Sequence, residues 1–540
     1  LSPINKNLKV AYDKYLGWYS VDIVDNPTDR KGFVQSQVTI KNTDNVEKQI
    51  RFNFDRKNNR RLPGVSIMLR DKEGNPIGIP VQVSKNWHGN KGTERHKGPW
   101  FRGLSMITVP ANSTTVFEVV TVNSHWGLLP AASTSQLCLI GWGGNQQWNQ
   151  SAIGNGGETI TYDADRSLNQ TSLADMRGAF LNDTAKFSPN IGGANFFSRF
   201  TTPNLEDGRK RTRTHYRRYS PNMTEVTYAS ASRDGTMDNE FTAIEYRSDD
   251  FARGLYRVRL DVREHTQFYD FVFFQMGANT YHQGYSNTFA LGNKQGVVKQ
   301  WKPLHAGNSY VTPKVEAKGE LPWFSFHDSR NSTANRGFVI RSWNARINGI
   351  DNVPPYWAEH GTKGEGTSII NIVPPANVSG FIPGDYVEAE IEVFMQPQSE
   401  EGYYGTNKNF KDALTLAGNT WQMVYREVLG NDIKVVMTKG ALERNYPIQV
   451  KSLDDNTAQL EVTGGVGFVP LTITGLTDYR NPVLEEKVNE QWVVIDQAVH
   501  GKDFWQANYW NGTWEITYNV DLDNINDART TRVFRFSMNQ

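Results

Sequence analysis

Residues 105–123 read SMITVPANSTTVFEVVTVN. On each side of PANST, apolar and β-branched residues alternate with polar ones, and that period of two is the pattern of a strand with one buried face. Proline followed by alanine and asparagine breaks the run at its middle and supplies a turn. Residues 61–87, RLPGVSIMLRDKEGNPIGIPVQVSKNW, repeat the form around KEGNP. Upstream, VAYDKYLGWYSVDIV (10–24), FVQSQVTIKN (33–42) and EKQIRFNFDRK (47–57) continue it. Hairpin after hairpin with polar turns is the grammar of a β-sandwich or jelly roll.

The same pattern carries downstream. FVFFQMG (271–277) is apolar almost throughout, which predicts a central buried strand. GFIPGDYVEAEIEVFMQPQ (380–398) alternates cleanly after a Pro-Gly-Asp turn. The period changes in two places. ADMRGAFLND (174–183) reads as the start of a short helix, and FKDAL with TWQMVYREVL has helical spacing before Gly430, a candidate cap. After them, LEVTGGVGFVPLTITG, WEITYNVDL and TRVFRFSMNQ return to short strands. At 540 residues the chain exceeds one ordinary core. The expectation is an all-β protein: a large antiparallel β-sandwich or jelly-roll region, a short helical connector and a small C-terminal β-sandwich. The domains fall at 1–190 (N-terminal β-sandwich), 191–400 (second β-sandwich region), 401–434 (connector) and 435–540 (C-terminal β-sandwich).

Charge and cysteine content narrow the function classes. Lys plus Arg number 58 and Asp plus Glu 57, a net charge of +1, which argues against bulk attraction to nucleic acid or anionic membrane. No stretch approaches the ~20 apolar residues of a membrane span. The single cysteine, Cys138, permits neither an internal disulfide nor a cysteine metal site. The chain begins at Leu1 without Met, and the expectation is a secreted or periplasmic bacterial protein whose leader has been removed. A mean hydropathy of −0.58 alongside 15 Trp, 22 Tyr and 27 Phe is an uncommon pairing. It suits a β-rich protein that handles sugars. Oligomeric state is open at this level.

Residues 141–165, GWGGNQQWNQSAIGNGGETITYDAD, concentrate that chemistry. Indoles offer a flat face to sugar C–H groups, and side-chain amides bond pairs of hydroxyls. Trp142, Trp148, Asn145 and Gln147 are therefore candidate substrate contacts, with Glu158 and Tyr162 at the exit. A second tip, GANTYHQGYSNTFALGN (277–293), carries Asn279, Tyr281 and His282. Residues 85–103 add His88, residues 124–126 add His125, and NVPPYWAEHGTKGEGT (352–367) reads as a further loop with Glu359 and His360. The basic segment NLEDGRKRTRTHYRRYS (204–220) contains Arg213 and Arg217 and reads as a solvated loop or as a cationic rim over an anionic chain.

Serine-hydrolase elbows, zinc-protease motifs, P-loops and dinucleotide fingerprints are absent. Two carbohydrate chemistries remain. β-Elimination on a uronate needs donors to offset the carboxylate, a Tyr or His to take the C5 proton, and a proton returned to the leaving oxygen. Tyr281 or His282 would accept the proton, with His125 or His88 assisting. Asn145 and Gln147 would contact the carboxylate, and Arg213 and Arg217 would line the approach. Glycoside hydrolysis needs two opposed carboxylates. Glu158 is the best candidate there, with Asp163 or Glu359 as partner. A non-catalytic glycan-binding surface protein uses the same aromatics and needs no base.

Taken together, the motifs GWGGNQQWNQ, ETITYDAD, FFQMGANTY and GDYVEAEIEV resemble secreted polysaccharide-degrading proteins of marine and gut bacteria, and most of all polysaccharide lyases of the ulvan-lyase kind. The resemblance spans residues 1–430. It implies an extracellular enzyme that cuts an acidic, optionally sulfated, polysaccharide or oligosaccharide by elimination, with no required cofactor. No residue role is carried over from it. Asp-rich turns at 163–166 (DADR) and 452–456 (SLDDN) leave a structural Ca²⁺ as an option, although neither is an EF-hand loop.

Overall fold

A computed structural model of the protein describes residues 10–13, 18–22, 32–55, 66–72, 81–86, 100–123, 134–139, 150–154, 157–162, 172–176, 179–181, 185–187, 194–203, 205–220, 223–245, 252–278, 287–302, 310–328, 334–361, 368–397, 433–465, 468–495, 505–522 and 531–539. Among them every regular element is a strand, and the fold is all-β. The two largest sheets have sixteen and ten strands. Pairing is antiparallel almost throughout; Trp18–Asp22 with Lys48–Asp55, and Val81–Asn86 with Thr134–Leu139, are parallel exceptions.

Sequence alternation explains the central strands. In Tyr386–Pro397, Val387, Ala389, Ile391 and Val393 are buried. Glu388 and Glu390 point the other way and meet Arg259 and Arg257 directly across on Ala252–Val262. Glu392 departs from this rule. It lies on the polar face yet is fully buried, and Arg341 Nε donates to its Oε2 at 2.7 Å. A buried carboxylate needs such a partner.

The main core lies between the two large sheets and is rich in phenylalanine. Phe196 of the larger sheet stacks on Phe241 of the smaller, 4.5 Å between centroids, and Phe274 meets Phe338 edge-on at 4.8 Å. Offset and edge-on contacts match the ring quadrupoles and add about 0.5–1.5 kcal/mol per pair beyond burial. Gly292 is required here, because a Cβ on it would fall 1.9 Å from the fully buried Trp323 indole. A second core joins the three-stranded sheet containing Gly32–Asn42 and Ser113–Asn123 to the N-terminal end of the sixteen-stranded sheet, with Phe52 against Phe117. A third core fills two five-stranded sheets within 433–536. The larger sheet runs continuously from Val10–Asp13 to Tyr310–Val311, so the first two regions share one sheet.

Three expectations are corrected. The described residues of 174–183 are strands, not a helix: Ser172–Met176 pairs with Gly157–Tyr162, and Ala179–Leu181 pairs with Ala185–Phe187. A ten-residue segment interrupted by Gly178 is below the length at which an isolated helix holds. The basic run is no loop: Arg209–Ser220 is the first strand of the ten-stranded sheet. Cationic side chains on an edge discourage pairing with another chain. Residues 356–361 are likewise a strand, Tyr356–Gly361. The helical connector lies outside the described residues except for Ile433 and Lys434, which open the strand Ile433–Lys439.

Candidate functional site

Register fixes where the chemistry-bearing segments are anchored. Along the sixteen-stranded sheet, Asn86 pairs with both Trp100 and Leu139, Leu139 with Ser151, and Gln150 with Tyr162. Ile160 pairs with Ser172, Ser172 with Asn195, Ala194 with Met276, Ala278 with Ser368, Ser368 with Gly361, and Gly361 with Tyr310. Strand direction divides these positions between two ends. Asn86, Trp100, Leu139, Gln150, Tyr162 and Ser172 lie at the first, and Ala194, Ala278, Ser368, Gly361 and Tyr310 lie at the second, the end of Gly157 and Met176. The sequences 87–99, 140–149 and 163–171 start and finish at the first end, 362–367 starts and finishes at the second, and 279–286 leaves from the second. Residues 279–286 join Ala278 of the larger sheet to Asn287 of the smaller, and 303–309 return from Trp301 to Tyr310.

His88, Trp142, Asn145, Gln147, Trp148, Asn279, Tyr281 and His282 lie outside the described residues. The strand ends that flank His88 and the Trp-amide segment lie at the first end, and Ala278, which precedes Asn279, Tyr281 and His282, lies at the second. Tyr162 ends its strand at the first end, its side chain outside the described set. Glu158 and the return from His125 are anchored toward the second end. Glu158, also with its side chain outside that set, pairs with Asp175 near the opposite end of its strand. The sequence carrying His125, itself outside the described residues, re-enters at Thr134, at the opposite end of its strand from Leu139.

A described cluster includes Tyr310, at the second end, that of Ala278. Glu359, only 3% exposed, lies on the inner face of Tyr356–Gly361. Trp301 Nε1 donates to its Oε2 at 2.7 Å, and the Tyr310 hydroxyl donates to its Oε1 at 2.6 Å. Its backbone N–H donates to Thr312 Oγ1, and Thr312 N–H returns a bond to its carbonyl. Tyr310 lies over Gly361, where a Cβ would fall 2.0 Å from the ring, so only glycine admits this tyrosine. The Trp301 and Trp357 rings are 5.4 Å apart, and Lys299 Nζ sits 4.7 Å from the first and 5.7 Å from the second. Lys299 and Trp301, two apart on Gly296–Trp301, share a face, and that strand is the last of its sheet. In the sequence GVVKQW nothing beyond the i, i+2 spacing of Lys299 and Trp301 signals this pairing, since the strand does not alternate between buried and exposed residues.

Buried polar atoms without partners gather on Tyr356–Gly361 and the adjoining strand Ser368–Val373: Trp357 Nε1, His360 Nε2 and Asn371 Oδ1. Each costs about 1–3 kcal/mol. Burial pushes the His360 imidazole below its ordinary value, with the Asp270 carboxylate opposing and Lys314 assisting. Lys314 and Asp270 are themselves paired at 3.2 Å.

Arg213 is committed to another contact. Its guanidinium grips Glu515 of the C-terminal sheet with bonds of 2.5 and 2.8 Å and lies 5.2 Å from the Trp510 centroid. Burial pushes the Glu515 carboxyl up, against the pull of Arg213. Two of its guanidinium nitrogens, Nε and Nη2, are thereby engaged by Glu515. The side chain of Arg217, on the same strand, lies outside the described residues.

In the SLDDN turn, Asp455 Oδ1 accepts bonds from both the Thr457 N–H and hydroxyl, so that oxygen serves the turn. Residues 163–166 lie outside the described set. Among the described residues no three His, Cys, Asp or Glu gather as metal ligands, and no helix is long and apolar enough to cross a membrane. No protein-family model matches the chain, and a search of curated proteins gives no relative.

Proposed function

We propose that the protein is a secreted or periplasmic enzyme that cleaves an acidic polysaccharide by β-elimination, with Tyr281 or His282 taking the C5 proton of the uronate. The Trp-amide segment with Trp142, Asn145, Gln147 and Trp148 is anchored at the opposite end of the sheet from Ala278, so it would contact the polymer away from the reacting sugar. The observation that carries this reading is the Lys299 ammonium over the Trp301 and Trp357 indoles, with Trp357 two strand steps from Asp270–Ala278, the strand that leads into the Tyr-His segment. Polar connections held by a rigid sheet are where binding and catalysis concentrate.

Hydrolysis is less favoured. Both oxygens of Glu359 accept protein hydrogen bonds. A general acid or nucleophile must present a free oxygen to substrate. Wild-type protein on uronate-containing polysaccharides, sulfated and unsulfated, is expected to release products with the ultraviolet absorbance of an unsaturated uronate. Tyr281→Phe or His282→Ala removes most of that turnover at unchanged thermal stability. Full turnover in both variants refutes the assignment. New reducing ends without the absorbance indicate hydrolysis, and retention without cleavage indicates a binding protein.

A further inference from the structure

We infer that Lys299, held over the Trp301 indole, receives the acidic group of a bound sugar, and that Glu359 is the positioning residue that fixes this subsite. The inference rests on the glycan reading above. An ammonium is attracted to the electron-rich face of an indole, and Lys299 lies near two. Among the described residues it has no carboxylate partner. The carboxylate within its cluster, Glu359, forms no ion pair with it and instead accepts from the Trp301 N–H and the Tyr310 hydroxyl. Lys299 is exposed and Trp301 half-buried, on a strand with an open edge. An exposed cation fixed by aromatic faces and lacking a counter-ion is suited to an oxyanion brought by a ligand. Trp301 borders it with an apolar ring edge for the adjoining C–H groups. A carboxylate and a sulfate share this chemistry.

The test uses the full chain and three oligosaccharides of one backbone: carboxylated, sulfated with its carboxyls reduced, and neutral. Affinity is measured by calorimetry across a salt series. Lys299→Gln is expected to weaken binding of at least one acidic oligosaccharide about tenfold, flatten its salt dependence and leave the neutral one unchanged. Lys299→Arg restores most of the affinity. Whichever acidic arm responds identifies the group. Glu359→Gln is expected to lower the same affinity and to shift the Trp301 indole N–H resonance, which Lys299→Gln leaves in place. Acidic binding that is equal in wild type and Lys299→Gln overturns the subsite alone. Wild-type protein that binds none of the three overturns the glycan reading with it.

Discussion

Removing the Glu359 carboxylate tests the physical basis of the cluster. The side chain is 3% exposed and accepts two short hydrogen bonds, from Trp301 Nε1 at 2.7 Å and the Tyr310 hydroxyl at 2.6 Å. Bonds to a charged acceptor contribute about 1.5–3 kcal/mol each, and relief of the buried charge offsets part of that sum. Glu359→Ala loses both bonds and opens a small cavity, so the expected loss is about 2–5 kcal/mol. Glu359→Gln keeps one acceptor but sets an amide N–H₂ against a second donor, for a loss of about 1–3 kcal/mol. For a core of this size, about 2–4 °C in Tm accompanies each kcal/mol. Denaturant unfolding followed by tryptophan fluorescence measures the loss, with Tm as a second reading. Both variants falling within about 0.5 kcal/mol of wild type would refute the view that Glu359 orients Trp301 and Tyr310. Gln and Ala losing equal amounts would show that neither hydrogen bond depends on a surviving acceptor.

Two further outcomes follow from the same geometry. Arg213→Ala leaves Glu515 buried without its partner and is expected to cost about 3 kcal/mol, seen in calorimetry as a lower transition for the C-terminal β-sandwich. Adding Glu515→Gln should recover part of it, and an unshifted transition in Arg213→Ala counts against the clamp. His360 has a folded pKa below its unfolded value of about 6.5, so the unfolded chain binds more protons between the two. Stability should be level above about pH 7 and fall as pH drops through the folded value, by less than about 1.4 kcal/mol per pH unit. His360→Asn should remove that slope, and identical denaturation midpoints against pH in the two proteins would contradict the burial assigned to the imidazole.

Much of the fold is legible as alternation. Tyr386–Pro397 announces its buried and exposed faces residue by residue. Other elements hide theirs. In Arg209–Ser220 the charge density masks the period of two, so an edge strand looks like a solvated loop. In Tyr356–Gly361 the flanking prolines and glycine suggest a loop, while the buried glutamate disguises an inward position. Glu392 is outward by parity and buried by what Arg341 provides, which no local pattern reveals. Least legible is the joining of distant segments, such as Ala194–Thr202 with Asp270–Ala278, because pairing at that sequence separation depends on the whole sheet. For the candidate site, the residue types were readable but their anchoring was not. Glu158 and Tyr162 are neighbours on one short strand, yet they mark its opposite ends.

The chemistry-bearing sequences divide between the two ends of the sixteen-stranded sheet. At the first end, 87–99, 140–149 and 163–171 each join neighbouring strands and carry Trp87, His88, Trp142 and Trp148. At the second end, residues 155–156 suffice to join Gly154 to Gly157, so a short turn is enough to build this sheet. Residues 279–286, with Tyr281 and His282, leave from Ala278 at that second end. The Trp301–Lys299–Glu359 cluster includes a strand that ends there, and unpartnered buried polar atoms of Trp357, His360 and Asn371 lie on Tyr356–Gly361 and Ser368–Val373. The cation held near two indoles and the unsatisfied polarity are independent features, and both favour the end from which the Tyr-His sequence leaves. That agreement makes the second end the one at which to test for chemistry.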